Sequence, residues 1–170
     1  IYGDRGRAVA AYQAAYAADS LNRVAANQLL LNYTTRRQSD SAMRYALRVT
    51  ALEPNVNNAN RVVGVLVSLG RLDEASAMLD SILTAVPGSV TSQAVVTSRF
   101  VLHLARGQRD SAAAVAEEAS RSPSVPNRIA ALQGLSNIAT IEGRFTRAAA
   151  LNQQVNALLA ERGVPVFDDQ

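Results

Sequence analysis

The stretch Arg23–Val56, RVAANQLLLNYTTRRQSDSAMRYALRVTALEPNV, decides the fold. Its first half places Leu29, Leu30 and Tyr33 at helical spacing, and its second half does the same with Ala42, Ala46 and Val49. A polar turn, Arg36–Ser39, separates the halves, and Glu53-Pro54-Asn55 closes the unit. Two amphipathic runs of this period argue for a pair of helices. Pro just past the second run cannot continue it.

The same pattern recurs on either side. Ala8, Ala42, Ala75, Ala112 and Ala148 each stand early in a helical run, spaced by 34, 33, 37 and 36 residues. A glycine precedes four of them by five residues, at Gly3, Gly70, Gly107 and Gly143, and Arg37 takes that place in the remaining unit, Arg23–Val56. Pro54, Pro87 and Pro123 follow downstream, with Ser20 in the equivalent place of the first unit. Such a period of small, turn-forming and helix-stopping residues marks a helical repeat. Alanine at a crossing lets two helix backbones approach closely. Glycine in the turn supplies a positive φ at a helix C′ position. Asp or Ser is expected to cap the helix that follows. Asp40, Asp73 and Asp110 stand just after the turn, where the positive end of the second helix favours a carboxylate.

On these residues the chain resembles the tetratricopeptide repeat family. The closest stretches are Gly3–Asn22, through Gly3, Ala8, Tyr12, Ala15 and Asp19, and Leu69–Ser89, through Gly70, Leu72, Ala75, Leu79 and Pro87. The Arg23–Val56 unit matches through Leu29, Tyr33, Ala42 and Pro54. The family's first-helix glycine is replaced by Leu30 in one unit and Phe100 in another. The fold class expected is all-α: an α-α superhelix, a solenoid of about nine antiparallel helices, with four full pairs behind an N-terminal half repeat. Its units span about 1–22, 23–56, 57–89, 90–124 and 125–163, as one solenoid domain 1–163 with a tail 164–170. The helices are expected near Asp4–Ala18, Leu21–Arg36, Ser39–Leu52, Val56–Leu69, Leu72–Ala85, Val90–Arg106, Arg109–Arg121, Pro126–Glu142 and Phe145–Arg162. Pro126 suits a first helical turn.

Composition narrows the function. The chain is 48% hydrophobic and 18% charged, as a folded protein is, and only 5% aromatic with no Trp, so its core is Ala, Leu and Val. Without cysteine there is no disulfide, thiolate metal site or Cys nucleophile. All 17 basic residues are Arg, which points to GC-rich coding and a bacterial source. The formal charge of +3 is modest, the arginines are dispersed and aromatics for base stacking are few, so nucleic acid is not the expected partner. No apolar run approaches a membrane span. The chain opens at Ile1 without Met or a signal peptide, and reads as a segment of a longer protein, cytoplasmic unless the parent is anchored or exported.

No catalytic set is present: no phosphate loop, no Gly-x-Ser-x-Gly, no His-Glu-x-x-His. His103, the only histidine, reads as a packed, hydrogen-bonded core residue. The adjacent acids Asp73-Glu74 and Glu117-Glu118 cannot share a helical face and read as solvated charge. Asn32-Tyr33-Thr34 fits a glycosylation sequon by chance. The expectation is a non-enzymatic protein without cofactor or metal.

Charge is unevenly divided. Arg23, Arg36, Arg61, Arg99, Arg106 and Arg128 lie on first helices, whose only acid is Glu142, while Asp73, Glu74, Asp80, Asp110, Glu117 and Glu118 lie on second helices. Arg36 and Arg106 complement helix C-termini, whereas Arg61 is mid-helix. In the family that the chain resembles, first helices line the concave groove. That resemblance makes Asn27, Gln28, Leu31, Thr34, Asn57, Asn60, Arg61, Gly64, Ser68, Thr97, Val101, Gln133 and Asn137 the groove candidates, with Asn27, Asn60, Thr97 and Gln133 in register. Their amides and hydroxyls suit an extended peptide backbone. Family members that clamp a chaperone's C-terminal carboxylate use Lys and Asn at set places; Arg61 fits one, but Asn27, Leu31 and Asn57 do not fit theirs. The reading is a scaffold that binds an extended, acidic protein segment. Its alternatives are a regulatory or sensor segment of a larger bacterial enzyme or transcription regulator, and a module that self-assembles through its end repeats.

Overall fold

The computed structural model describes residues 5–162, so Gly3, Asp4 and the tail after Arg162 lie outside the described residues. The described chain is all-helical. It runs α1 (Arg5–Ala18), α2 (Arg23–Thr35), α3 (Ser39–Leu52), α4 (Val56–Ser68), α5 (Leu72–Ala85), a 3-10 turn (Pro87–Thr91), α6 (Gln93–Ala105), α7 (Arg109–Ser120), α8 (Val125–Ile141) and α9 (Phe145–Ala160). It divides into two compact units, Ile1–Pro87 and Gly88–Gln170.

In the first unit each helix packs on the next, from α1 to α5. In the second, α6 packs on α7, α7 on α8 and α8 on α9, and α6 also touches α8. Ala42, Ala75, Ala112 and Ala148 are buried, as the crossings require. Ala8 is not: it is exposed, since α1 packs mainly on α2 and none of its described residues is fully buried. What holds α1 is aromatic. The Tyr16 ring meets Tyr45 of α3 edge-on, with centroids 5.2 Å apart, and Tyr33 of α2 stacks on the other side of Tyr45 at 5.5 Å. Gln13 Nε2 donates to the Tyr33 hydroxyl at 3.0 Å.

The turns follow the repeat. Gly70, Gly107 and Gly143 have φ of 72°, 73° and 73°, and Arg37, in the corresponding turn, has φ 56°. Each begins the link into a second helix, the place where a left-handed residue lets the chain reverse. The caps meet the expectation in part: Ser92 caps the helix after Pro87, and Asn rather than Asp or Ser is the cap at Asn22 and Asn55. The second helices start at Gln38, Arg71, Gln108 and Arg144 with no side-chain cap. Asp40, Asp73 and Asp110 sit within the first turn, against the positive helix end. The capping side chains belong to first helices instead. Asn22 accepts from Ala25 N, Asn55 from Asn58 N and Ser92 from Val95 N. Ser92 also shortens α6. Its extended backbone, after the 3-10 turn at Pro87–Thr91, starts the helix at Gln93 rather than near Val90.

The second unit fills a vacancy with a swap. Phe100 stands where the family pattern has a small residue, and Gly134 of α8 makes its room: a Cβ there would lie 2.9 Å from the Phe100 ring. Ala116, Ala119, Ala131, Leu132, Leu135, Leu151 and Val155 form the core around it.

Candidate functional site

Each first helix keeps one face open. On α4 the exposed residues Asn57, Arg61, Gly64 and Ser68 recur at i, i+4, i+7 and i+11, a single helical stripe, while Val62, Val63, Val65 and Leu66 are buried around it. On α2, Gln28, Leu31 and Thr34 are exposed; on α6, Thr97 and Val101; on α8, Gln133 and Asn137.

Two clefts gather most of the candidates. In the first unit a cleft of about 440 Å³ lies between α2 and α4, lined by Asn27, Gln28, Leu30, Leu31, Thr34, Arg61, Gly64 and Val65. A second hollow of about 340 Å³ shares Thr34, Gly64 and Val65 with it and continues to Ser39 and Ser68. In the second unit a cleft of about 230 Å³ brings Thr97, Val101, Gln133 and Asn137 together over Val96, Phe100 and Gly134. Asn57 is exposed on the α4 stripe but lines neither hollow of its unit.

Asn60 does not belong to the site. It is 6% exposed, and its Nδ2 donates to Val56 O at 2.8 Å. The expected register of Asn27 with Asn60 is off by one residue, about 100° of helix rotation. The apolar run Val62–Leu66 turns α4 so that Arg61 faces Asn27. The Arg61 guanidinium donates to Asn27 Oδ1. Arg61 has no carboxylate partner among the described residues, so its charge is steered and not neutralised. Asn27 keeps its NH₂ donors. Thr34 donates to Leu30 O at 2.8 Å and so turns acceptor lone pairs to the cleft; Ser68 donates to Val65 O at 2.7 Å and accepts from the Ser39 hydroxyl at 3.0 Å, which leaves it one lone pair.

Several of the other first-helix arginines have partners, and two stand at helix ends. Arg23 pairs with Glu53, Arg99 stands 3.9 Å from Glu118, and Arg128 donates to Ser122 O at 3.2 Å. Arg36 and Arg106 are helix C-caps. The expected positive groove therefore narrows to Arg61 in the α2–α4 cleft, with Arg37 of the following turn lining the adjoining hollow. Glu117 and Glu118 point apart, to Arg147 at 3.8 Å and to Arg99. His103 is half-buried rather than core; its Nδ1 is 2.8 Å from Gln108 Oε1, a side-chain hydrogen bond across the turn after α6. Asn32 of the sequon is half-buried mid-helix with its Oδ1 enclosed, not in a surface loop.

Sequence reasoning missed a further cavity, of about 400 Å³, lined by Val90, Val96, Val115, Ala119 and Pro123 with Arg99, Glu118 and Arg121. The 3-10 turn forms part of its wall, and no periodicity announces such a turn. Gly64 is the other surprise. Glycine inside a helix costs about 1 kcal/mol relative to alanine, yet a Cβ at Gly64 would have nothing within 4 Å.

Among the described residues no group of three or more His, Asp or Glu side chains could hold a metal ion, and no helix is long and apolar enough to cross a membrane. Compared with protein-family models, curated proteins and solved structures, the chain matches none.

Proposed function

We propose that this chain is a non-catalytic helical-repeat scaffold of the tetratricopeptide kind, which binds an extended acidic peptide segment along its first helices. The observation that carries this is Arg61. It lines the larger hollow of the α2–α4 cleft, held in place by Asn27 and left without a carboxylate among the described residues. A peptide carboxylate would take the guanidinium's remaining N–H groups. The Asn27 and Gln28 amides and the Thr34 and Ser68 hydroxyls would take backbone groups, and Leu31 an apolar side chain. In the second unit Thr97, Gln133 and Asn137 would do the same over Val101 and Phe100, without charge.

The test is binding of short acidic peptides, displayed as an array and followed by titration in solution. Arg61→Glu should weaken the bound acidic peptides by about tenfold or more, since a hydrogen bond to a charged group is worth roughly 1.5–3 kcal/mol. Unchanged affinity in the variant would remove the assignment. A second reading, self-association through an end pair, is favoured by Ile141 and Phe145 beside the α8–α9 turn, 60% and 68% exposed. Sedimentation velocity that stays monomeric up to high concentration would discard it.

A further inference from the structure

We propose that Gly64 determines specificity in the α2–α4 cleft: its missing side chain makes a socket for a branched aliphatic side chain next to the carboxylate that Arg61 holds. This rests on the peptide-binding reading above. The ligand class it names is an Asp or Glu followed by Leu, Ile or Val.

Three observations lead there. Gly64 lies in the interior of α4, where glycine is an unfavourable choice. No turn or close packing requires it, because its φ is not positive and a Cβ would meet nothing within 4 Å. It lies three residues, just under one turn, from Arg61 on the same exposed stripe, and it is shared by both hollows of the cleft. The lining of the cleft is mixed: Leu30, Leu31 and Val65 supply its apolar part, with Leu30 and Val65 buried and Leu31 exposed, beside the polar Asn27, Gln28 and Thr34. A residue that weakens its helix and relieves no clash leaves space, and this space has apolar side chains and a cation in its lining. An apolar side chain adjacent to a carboxylate fits that arrangement, whereas a peptide of acidic residues alone would leave Leu31 uncovered.

Gly64→Ala and Gly64→Leu separate this from a structural role. Both should raise the urea midpoint, since each adds a better helix former in open space. The probes are Gly/Ser peptides carrying one Asp-Leu pair or one Asp-Ala pair. The wild type should prefer Asp-Leu by about tenfold or more, as apolar pockets discriminate on this scale. Gly64→Leu should abolish that preference by losing the Asp-Leu peptide while keeping Asp-Ala, and Arg61→Glu should weaken both. If Gly64→Leu keeps the preference while Arg61→Glu weakens both, the socket is refuted and the cleft reading stands. If the wild type binds neither peptide, the cleft reading fails and takes the socket with it. A lower urea midpoint in both variants would show a packing role for Gly64 and equally refute the socket.

Discussion

Arg37→Gly should stabilise the protein. Arg37 occupies, at φ 56°, the turn position that glycine fills at Gly70, Gly107 and Gly143. A left-handed conformation costs an L-residue roughly 1–2 kcal/mol. Glycine returns about 0.5–1 kcal/mol of that through its freer unfolded chain. The Arg37 side chain has no hydrogen bond or ion pair among the described residues, so little else is lost. The net gain is about 0.5–1 kcal/mol, a rise of about 1–4 °C in melting temperature for a chain of this size. Arg37→Ala is the control: it removes the side chain, keeps the strain and should leave stability nearly unchanged. The reverse substitution, Gly107→Ala, should cost a similar 0.5–1 kcal/mol, because a Cβ there meets nothing within 4 Å and only the backbone objects. Urea denaturation reads all three as midpoint shifts at constant slope. If Arg37→Gly lowers the midpoint, or Arg37→Ala raises it equally, turn strain is not the cause.

Gly134→Ala sets a helix-propensity gain of about 1 kcal/mol against overpacking on Phe100 of about 1–3 kcal/mol. It should therefore destabilise slightly, and Phe100→Leu should relieve it, with a coupling of about 0.5–3 kcal/mol in a double-mutant cycle; additive effects would mean the ring does not rest on Gly134. Alkaline pH should also act through Tyr45. Burial, and then the neighbouring Tyr33 and Tyr16 phenols, push its pKa above the ordinary 10.0, with Arg44 opposing. The stability tied to its protonated form is intact below pH 10 and is lost as pH rises through the higher folded value. Phenolate absorbance should show one tyrosine ionising later in the folded than in the denatured protein, and Tyr45→Phe should remove that late step; coincident titrations would contradict it.

The repeat was legible because turns and crossings depend on residue size. Gly70, Gly107 and Gly143 announce their positive φ, and α3 and α5 begin and end at Ser39–Leu52 and Leu72–Ala85 as their patterns require. Rotation about a helix axis was less legible. Asn60 and Arg61 are neighbours, and only the packing of Val62–Leu66 decides which one faces the cleft. Ala8 resembles its four counterparts in sequence, but burial depends on what packs against a helix, and α1 packs mainly on α2. Pairing of charge was illegible too: Glu53 reaches Arg23 from thirty residues away, and Glu118 approaches Arg99 from a different helix. The open space at Gly64 was illegible as well, since a sequence does not say whether a glycine relieves a clash or leaves a gap.

The aromatic cluster around Tyr45 has an optical consequence. All five tyrosines fall at or before residue 45, and the chain has no tryptophan. Intrinsic ultraviolet emission therefore comes from the first unit alone, whereas far-ultraviolet dichroism sums the helices of both. Recording the two signals through one melt would show whether the halves of this chain come apart together or in turn, with no dye attached.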